Sequence, residues 1–235
     1  VPADLAMQVF QHLRDKGRVI RGYLGAIVQP VGKEIGEVFE LPRPSGALVA
    51  HITPGSPAEK AGLQSGDVIV EMNGKRVDAP RDLRLMVGSL APGTGVKLAV
   101  FRDGRKRTFE AVLTELSPRE SQLPGAETEE TMPIPPASPS MFASRLRLAD
   151  LTEEIRLALD APASLEGAVV ADIDPQSAAY RAGLRPGHVL LEINRKPVKS
   201  VADVALVVAG LKSDKPVVLR VWNSGQNHYF TIPRQ

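Results

Sequence analysis

Two stretches of this chain are copies of one another. One is Ser56-Pro57-Ala58-Glu59-Lys60-Ala61-Gly62-Leu63-Gln64-Ser65-Gly66-Asp67-Val68-Ile69-Val70-Glu71-Met72-Asn73-Gly74, the other Ser177-Ala178-Ala179-Tyr180-Arg181-Ala182-Gly183-Leu184-Arg185-Pro186-Gly187-His188-Val189-Leu190-Leu191-Glu192-Ile193-Asn194. Laid together from Gly46 and from Gly167, the copies share roughly twenty of about forty-five positions without a gap. A repeat this long, present only twice, is not a solenoid unit; it reads as one domain type used twice. Ser-x-Ala followed by Ala-Gly-Leu predicts a short helix closed by a glycine. Gly66-Asp67 is a turn and Val68-Ile69-Val70 a buried type of strand. Asn73-Gly74 signals a hairpin, whereas Arg195 after Asn194 makes the second turn less ideal.

A length of 235 residues allows one or two domains, and the repeat decides for two. The net charge is +2 with acids and bases interspersed, which argues against a nucleic-acid binder, whose bases would cluster on one face. No apolar run is long enough for a membrane span. With no cysteine there is no disulfide or thiolate site. The start, Val1-Pro2-Ala3-Asp4, shows neither methionine nor a signal peptide, and we expect an excised piece of a longer chain.

Along the chain, Leu5, Val9 and Leu13, with Ala6 and Phe10 alongside, predict a helix over 4–16 that exposes an apolar stripe, a hint of a partner domain. Tyr23-Leu24-Gly25-Ala26-Ile27-Val28 is a glycine-interrupted entry into a strand. A helix or loop is expected around Glu34–Phe39, then a strand over 46–52. In the second helix, 77–90, Leu83, Val87 and Leu90 share the core face; Asp82, Met86 and Ser89 share the opposite face, with Leu85 at its margin. Strands over 96–101 and 108–113 flank Asp103-Gly104. Arg102, Arg105, Lys106 and Arg107 crowd that turn as a solvated tip. Residues 117–140, rich in proline and glutamate and poor in large apolar residues, form no core and read as an extended linker. Beyond it come a strand near 142–148, a helix over 152–159 with Thr152 and Asp150 competing to cap it, a helix over 201–211 carrying Asp203, Val207 and Gly210 on its outer face, and a hairpin of 217–222 with 228–232.

This doubled pattern resembles the PDZ domain as carried in tandem by the HtrA/Deg family of periplasmic serine proteases. The resemblance implies an α+β chain of two PDZ domains, each a small, partly open β-barrel or sandwich capped by helices. It divides the chain into 1–17, the last helix of a protease domain absent here; 18–117, PDZ domain 1; 118–140, the linker; and 141–235, PDZ domain 2. Gly17-Arg18-Val19-Ile20-Arg21-Gly22 resembles the family's link out of the protease domain. Tyr23-Leu24-Gly25-Ala26-Ile27-Val28 resembles the carboxylate-binding loop, where a glycine lets successive N–H groups turn toward one anion. The following strand keeps a free edge for an extended peptide, and Asp82, Leu85, Met86 and Ser89 wall the groove. A flexible methionine suits varied apolar ligands. Arg145 falls where Gly25 stands in the first copy; it resists positive φ and fills the anion space, which weakens the second site.

No Gly-Asn-Ser-Gly-Gly loop is present, and His12, His51, His188 and His228 show neither a Ser and Asp setting nor metal-ligand spacing, so each reads as structural or solvated. No phosphate-cradling glycine motif occurs, and no cofactor is expected. The resemblance implies a non-catalytic regulatory module of a periplasmic protease, with unfolded or C-terminal hydrophobic segments, the protease domain and a trimer-based homo-oligomer as partners, the second PDZ domain serving assembly. The alternative is a protease-independent tandem-PDZ scaffold in an envelope or secretion assembly.

Overall fold

The computed structural model describes residues 21–115, 146–211 and 215–232. In chain order the elements are β1 Gly22–Tyr23, β2 Ala26–Pro30, α1 Lys33–Val38, β3 Ala47–Ile52, α2 Pro57–Lys60, β4 Val68–Met72, β5 Lys75–Arg76, α3 Pro80–Gly88, β6 Gly95–Arg102, β7 Arg105–Val112 and β8 Thr114–Glu115. They continue as β9 Leu146–Asp150, α4 Glu153–Ala158, β10 Ala168–Ile173, α5 Ala178–Arg181, β11 Val189–Ile193, β12 Lys196–Pro197, α6 Val201–Ala209, β13 Val217–Asn223 and β14 Gln226–Ile232. The described residues fall into two compact units, 21–31 with 45–115, and 146–211 and 215–232 with 32–44. The helix expected over 4–16, the linker and Arg145 lie outside the described residues.

The repeat becomes two matching antiparallel sheets. The first runs β2-β3-β4-β6-β7 with β5 on β4; the second runs β9-β10-β11-β13-β14 with β12 on β11. Both are open paths rather than closed barrels. Their registers correspond: Ala26 faces Ile52 and Pro30 faces Ala47 in the first, while Leu146 faces Ile173 and Asp150 faces Ala168 in the second. This places Leu146 at the position of Ala26, so Arg145 stands in sequence where Gly25 does. β1 and β8 form a separate two-stranded piece.

Each sheet closes over an apolar core. In the first, Ile69, Met72, Leu98 and Leu113 are fully enclosed; in the second, Leu184, Leu190, Ile193 and Leu219 are. The short helices form as the repeat predicts. Ser56 and Ser177 cap α2 and α5, their hydroxyls accepting from the N–H of Glu59 and of Tyr180. The hairpin between β11 and β12 tightens despite its sequence: Asn194 and Arg195 sit at φ 47° and 66°. That is the left-handed pair such a two-residue turn demands, and Arg195 adopts it at a conformational cost that a glycine would not incur.

The helix expected over 77–90 is shorter, because Pro80, lacking an N–H, sits at the first helical position, where none is needed. Thr152 alone caps α4, accepting from the N–H of Ile155. Asp150 does not compete for it; its carboxylate turns to another helix instead. Among the described residues, no helix is long and apolar enough to cross a membrane.

Candidate functional site

The strand β2 is an end strand of its sheet: it pairs with β3 on one side and, among the described residues, with no strand on the other. Across from that free edge lies α3. Ala26 and Val28 on β2 and Met86 on α3 are each partly buried against the same core that holds Leu24, Leu83 and Val87. An apolar groove therefore runs between the strand edge and the helix, floored by that core. Met86 is partly buried against this core, while Leu85 is 56% exposed.

The loop at the head of β2 is fixed by its carbonyls. The Leu24 carbonyl accepts from the Ala58 N–H at 2.8 Å, and the Gly25 carbonyl accepts from the Thr53 N–H at 2.9 Å. The Ser56 hydroxyl also reaches the Gly25 carbonyl, at 3.4 Å. In a trans peptide the C=O and the following N–H point in opposite directions, and no peptide bond among the described residues is cis. Both carbonyls turn into the 53–58 loop, so the N–H groups of Gly25 and Ala26 turn away from it. Two successive amides so presented can both donate to one anion.

Only glycine permits this. Gly25 has φ +80°, and a Cβ there would lie 2.1 Å from the Ser56 Cβ and 2.6 Å from its Oγ. Tyr23 packs on the same loop, its hydroxyl donating to Thr53 Oγ1 at 3.2 Å. Leu24 is buried in the core, so its side chain anchors the loop. Ile27 is half-buried on the strand.

Asp82 and Ser89 carry structural bonds of their own. The Asp82 carboxylate accepts from the N–H groups of Asp78 at 3.1 Å and Ala79 at 2.9 Å, capping α3. The Ser89 hydroxyl donates to the Met86 carbonyl at 2.9 Å, tightening the end of the helix. Sequence reasoning missed Thr53 and Ser56 as loop-setting residues. The signal was present in Ser56, which recurs as Ser177.

The second unit repeats the edge and the helix with different chemistry. β9 is an end strand, and Leu146 and Leu148 on it, with Val207 on α6, pack on the second core. Asp203 repeats the cap, accepting from the N–H groups of Lys199 and Ser200, and the first of these bonds chiefly holds its carboxyl below the usual range. Leu206 is 74% exposed. His188 and His228 do not meet as a catalytic pair. Each instead stacks on Phe230, at ring separations of 5.8 Å and 6.3 Å, and burial chiefly lowers both their pKa values. Among the described residues, no group of His, Asp and Glu could hold a metal.

An open antiparallel sheet with a free edge strand, a glycine-headed loop and a helix facing the edge is an arrangement to which an extended segment can add as a further strand. Two separate PDZ domain models match the chain, at residues 22–113 and 169–223. The chain belongs to the PDZ family and carries two PDZ domains. It is homologous over 99% of its length to proteins named probable periplasmic serine endoprotease DegP-like, at 32% identity in Halomonas elongata, 35% in Pseudomonas fulva and 34% in Bartonella henselae. It spans about half of these relatives, 46%, 47% and 44% of their respective lengths. Among solved structures it is similar to the HtrA-type protease AlgW with a decapeptide, at 31% identity and TM-score 0.45, over 50% of this chain and 36% of that one. A serine endoprotease from Yersinia pestis matches at 29% identity and TM-score 0.39, over 50% of this chain and 37% of that one.

Proposed function

We propose that this chain is the peptide-binding regulatory region of an HtrA-type serine endoprotease of the periplasm. The first domain takes an unfolded or C-terminal hydrophobic segment as an added strand on β2. The terminal carboxylate sits on the N–H groups of Gly25 and Ala26, and the last side chain enters the apolar groove beside Ala26, Val28 and Met86. Binding there activates or feeds a protease domain, and the second domain serves mainly assembly of a trimer-based oligomer. The division at residues 17, 117 and 140 belongs to this proposal.

The observation that carries the reading is the outward turn of the Gly25 and Ala26 amides at the head of a free strand edge. The homology with DegP-like endoproteases along 99% of the chain supports the protease connection. In the second copy Arg145 occupies the glycine's place in sequence, which favours assembly over peptide capture there.

The test is a titration of the isotopically labelled chain with an unstructured eight-residue peptide ending in an apolar residue, its C-terminus free or amidated. The free acid should shift the amides of Gly25, Ala26, β2 and α3. Amidation should weaken binding about tenfold, since a hydrogen bond to a charged group contributes roughly 1.5–3 kcal/mol. Equal affinity for both forms would show that the loop does not read the carboxylate.

A further inference from the structure

The two grooves differ at the end farthest from the carboxylate loop. In the second unit, the last residue of the edge strand β9 is Asp150, and the first residue of α6 is Val201. The Val201 N–H donates to Asp150 Oδ1 at 2.7 Å. The side chains of a strand alternate between faces, so Asp150 shares the groove-facing side with Leu146 and Leu148, both of which pack on the core beside α6. The bond therefore spans from one wall of the groove to the other. In the first unit the same two places hold Pro30 and Pro80. Proline has no N–H to donate and no acceptor in its side chain, so this crossing bond cannot form there.

We propose that Asp150 is a latch that closes the distal end of the second groove and so excludes an extended peptide, while the first groove is open-ended and accepts one. This rests on the reading of both grooves as peptide sites. An added strand on β9 that runs antiparallel from Leu146 passes Leu148 and then meets the Asp150–Val201 bond. A chain longer than about three residues must break that bond or leave the edge. The latch also ties β9 to the start of α6 and holds the groove at one width. The first groove lacks this tie and is free to widen by movement of α3. Asp150 thereby acts as a specificity-determining residue that separates the roles of two otherwise repeated domains.

The test uses the full chain, isotopically labelled, with the eight-residue apolar-ended peptide as probe. In the unmodified chain the peptide should shift amides of β2 and α3 only. In Asp150→Ala the Val201 amide should exchange faster with solvent; with Arg145→Gly added, to supply the glycine of the first copy, the same peptide should now shift amides of β9 and α6 as well, whereas Arg145→Gly alone should not. The inference is overturned if Asp150→Ala with Arg145→Gly gains no shifts at β9 and α6, or if the unmodified chain or Arg145→Gly alone already shows them. Loss of the β2 and α3 shifts in both proteins sinks the first-groove reading instead, and the latch is still judged on β9 and α6. Should Asp150→Ala unfold the second unit, the converse decides. Pro30→Asp with Pro80→Val installs the latch in the first groove, and should lower affinity for the eight-residue peptide about tenfold, equivalent to roughly 1.4 kcal/mol, with little change for its C-terminal tripeptide. Equal effects on both lengths, or none, would overturn it.

Discussion

Asp67 and Arg102 form a bidentate ion pair inside the first domain, Nε to Oδ1 at 2.6 Å and Nη2 to Oδ2 at 2.7 Å, with the Asp67 side chain 1% and the Arg102 side chain 15% exposed. The Gln64 N–H donates to the same carboxylate at 2.9 Å, and the guanidinium lies 4.7 Å from the centre of the Phe109 ring. In the second domain His188 and Asn223 hold the matching places. The Arg185 N–H donates to His188 Nδ1 at 3.3 Å, and the imidazole stacks on Phe230. One buried position thus satisfies the same backbone N–H with a carboxylate in one copy and a neutral histidine in the other. Arg102→Leu should destabilise the first domain by about 3–5 kcal/mol, because it leaves a buried carboxylate without its partner. Denaturant unfolding followed by first-domain probes would check this.

His188 makes the second domain sensitive to acid. Burial chiefly, then the nearby His228 and Arg185, hold its pKa below the ordinary 6.5. The folded state therefore binds fewer protons than the unfolded chain. This stability is fully present above pH 6.5 and is lost as the pH falls through the lower folded value. His228, lowered by burial, acts in the same direction. Thermal unfolding at pH 7.5 and 5 should show the second domain weakening in acid, and His188→Gln should flatten that dependence. An unchanged slope would assign the effect to other groups.

Gly25→Ala should abolish recognition of the free carboxylate, with a loss of tenfold or more. The added Cβ meets the Ser56 Cβ at 2.1 Å and must displace the loop. Gly25→Ala with Ser56→Gly removes the collision and leaves only the left-handed backbone penalty of about 1–2 kcal/mol. Peptide binding should return in part in the double variant. Failure of any rescue would mean that the backbone angle, rather than the Ser56 contact, sets the loop.

Ala79 precedes α3 without a side-chain acceptor, whereas Ser200 at the matching place accepts from the Asp203 N–H at 3.2 Å. Ala79→Ser should stabilise the first domain by about 0.5–1 kcal/mol, and Asp82→Ala should cost about 0.5–2 kcal/mol by uncapping the helix. Both should read out as unfolding midpoints. If Asp82→Ala changed peptide affinity at unchanged stability, Asp82 would be the ligand contact that the family resemblance implies.

Met86→Ala should shift ligand preference toward larger terminal side chains by enlarging the groove. A modest loss of stability, about 1–2 kcal/mol, is expected for a partly buried methionine. Affinities across peptides ending in Val, Leu and Phe would measure the change in rank.

Much of this was legible in the sequence because it is local. The repeat fixed two domains of one type. Ser56 and Ser177 announced their caps, and Asp103-Gly104 announced its hairpin. Leu83 and Val87 declared the buried face of α3 by spacing alone. Glycine at position 25 marked the loop. Positive φ is what a lone glycine before a strand suggests, and the structure supplies it.

Tertiary structure decided what local pattern cannot carry. Asp82 reads in the sequence as groove wall; that its carboxylate also accepts from the N–H groups of Asp78 and Ala79 is visible only in the fold. Asp150 looked like a cap for the helix that follows it, yet it bonds Val201, fifty-one residues on. The requirement for glycine at position 25 is set by Ser56, which only the folding of the 53–58 loop brings within reach. Sequence determines which groups are available and which face of an element they occupy. Which donor each acceptor meets depends on distances across the sheet and between elements, and those exist only once the chain has closed on its core.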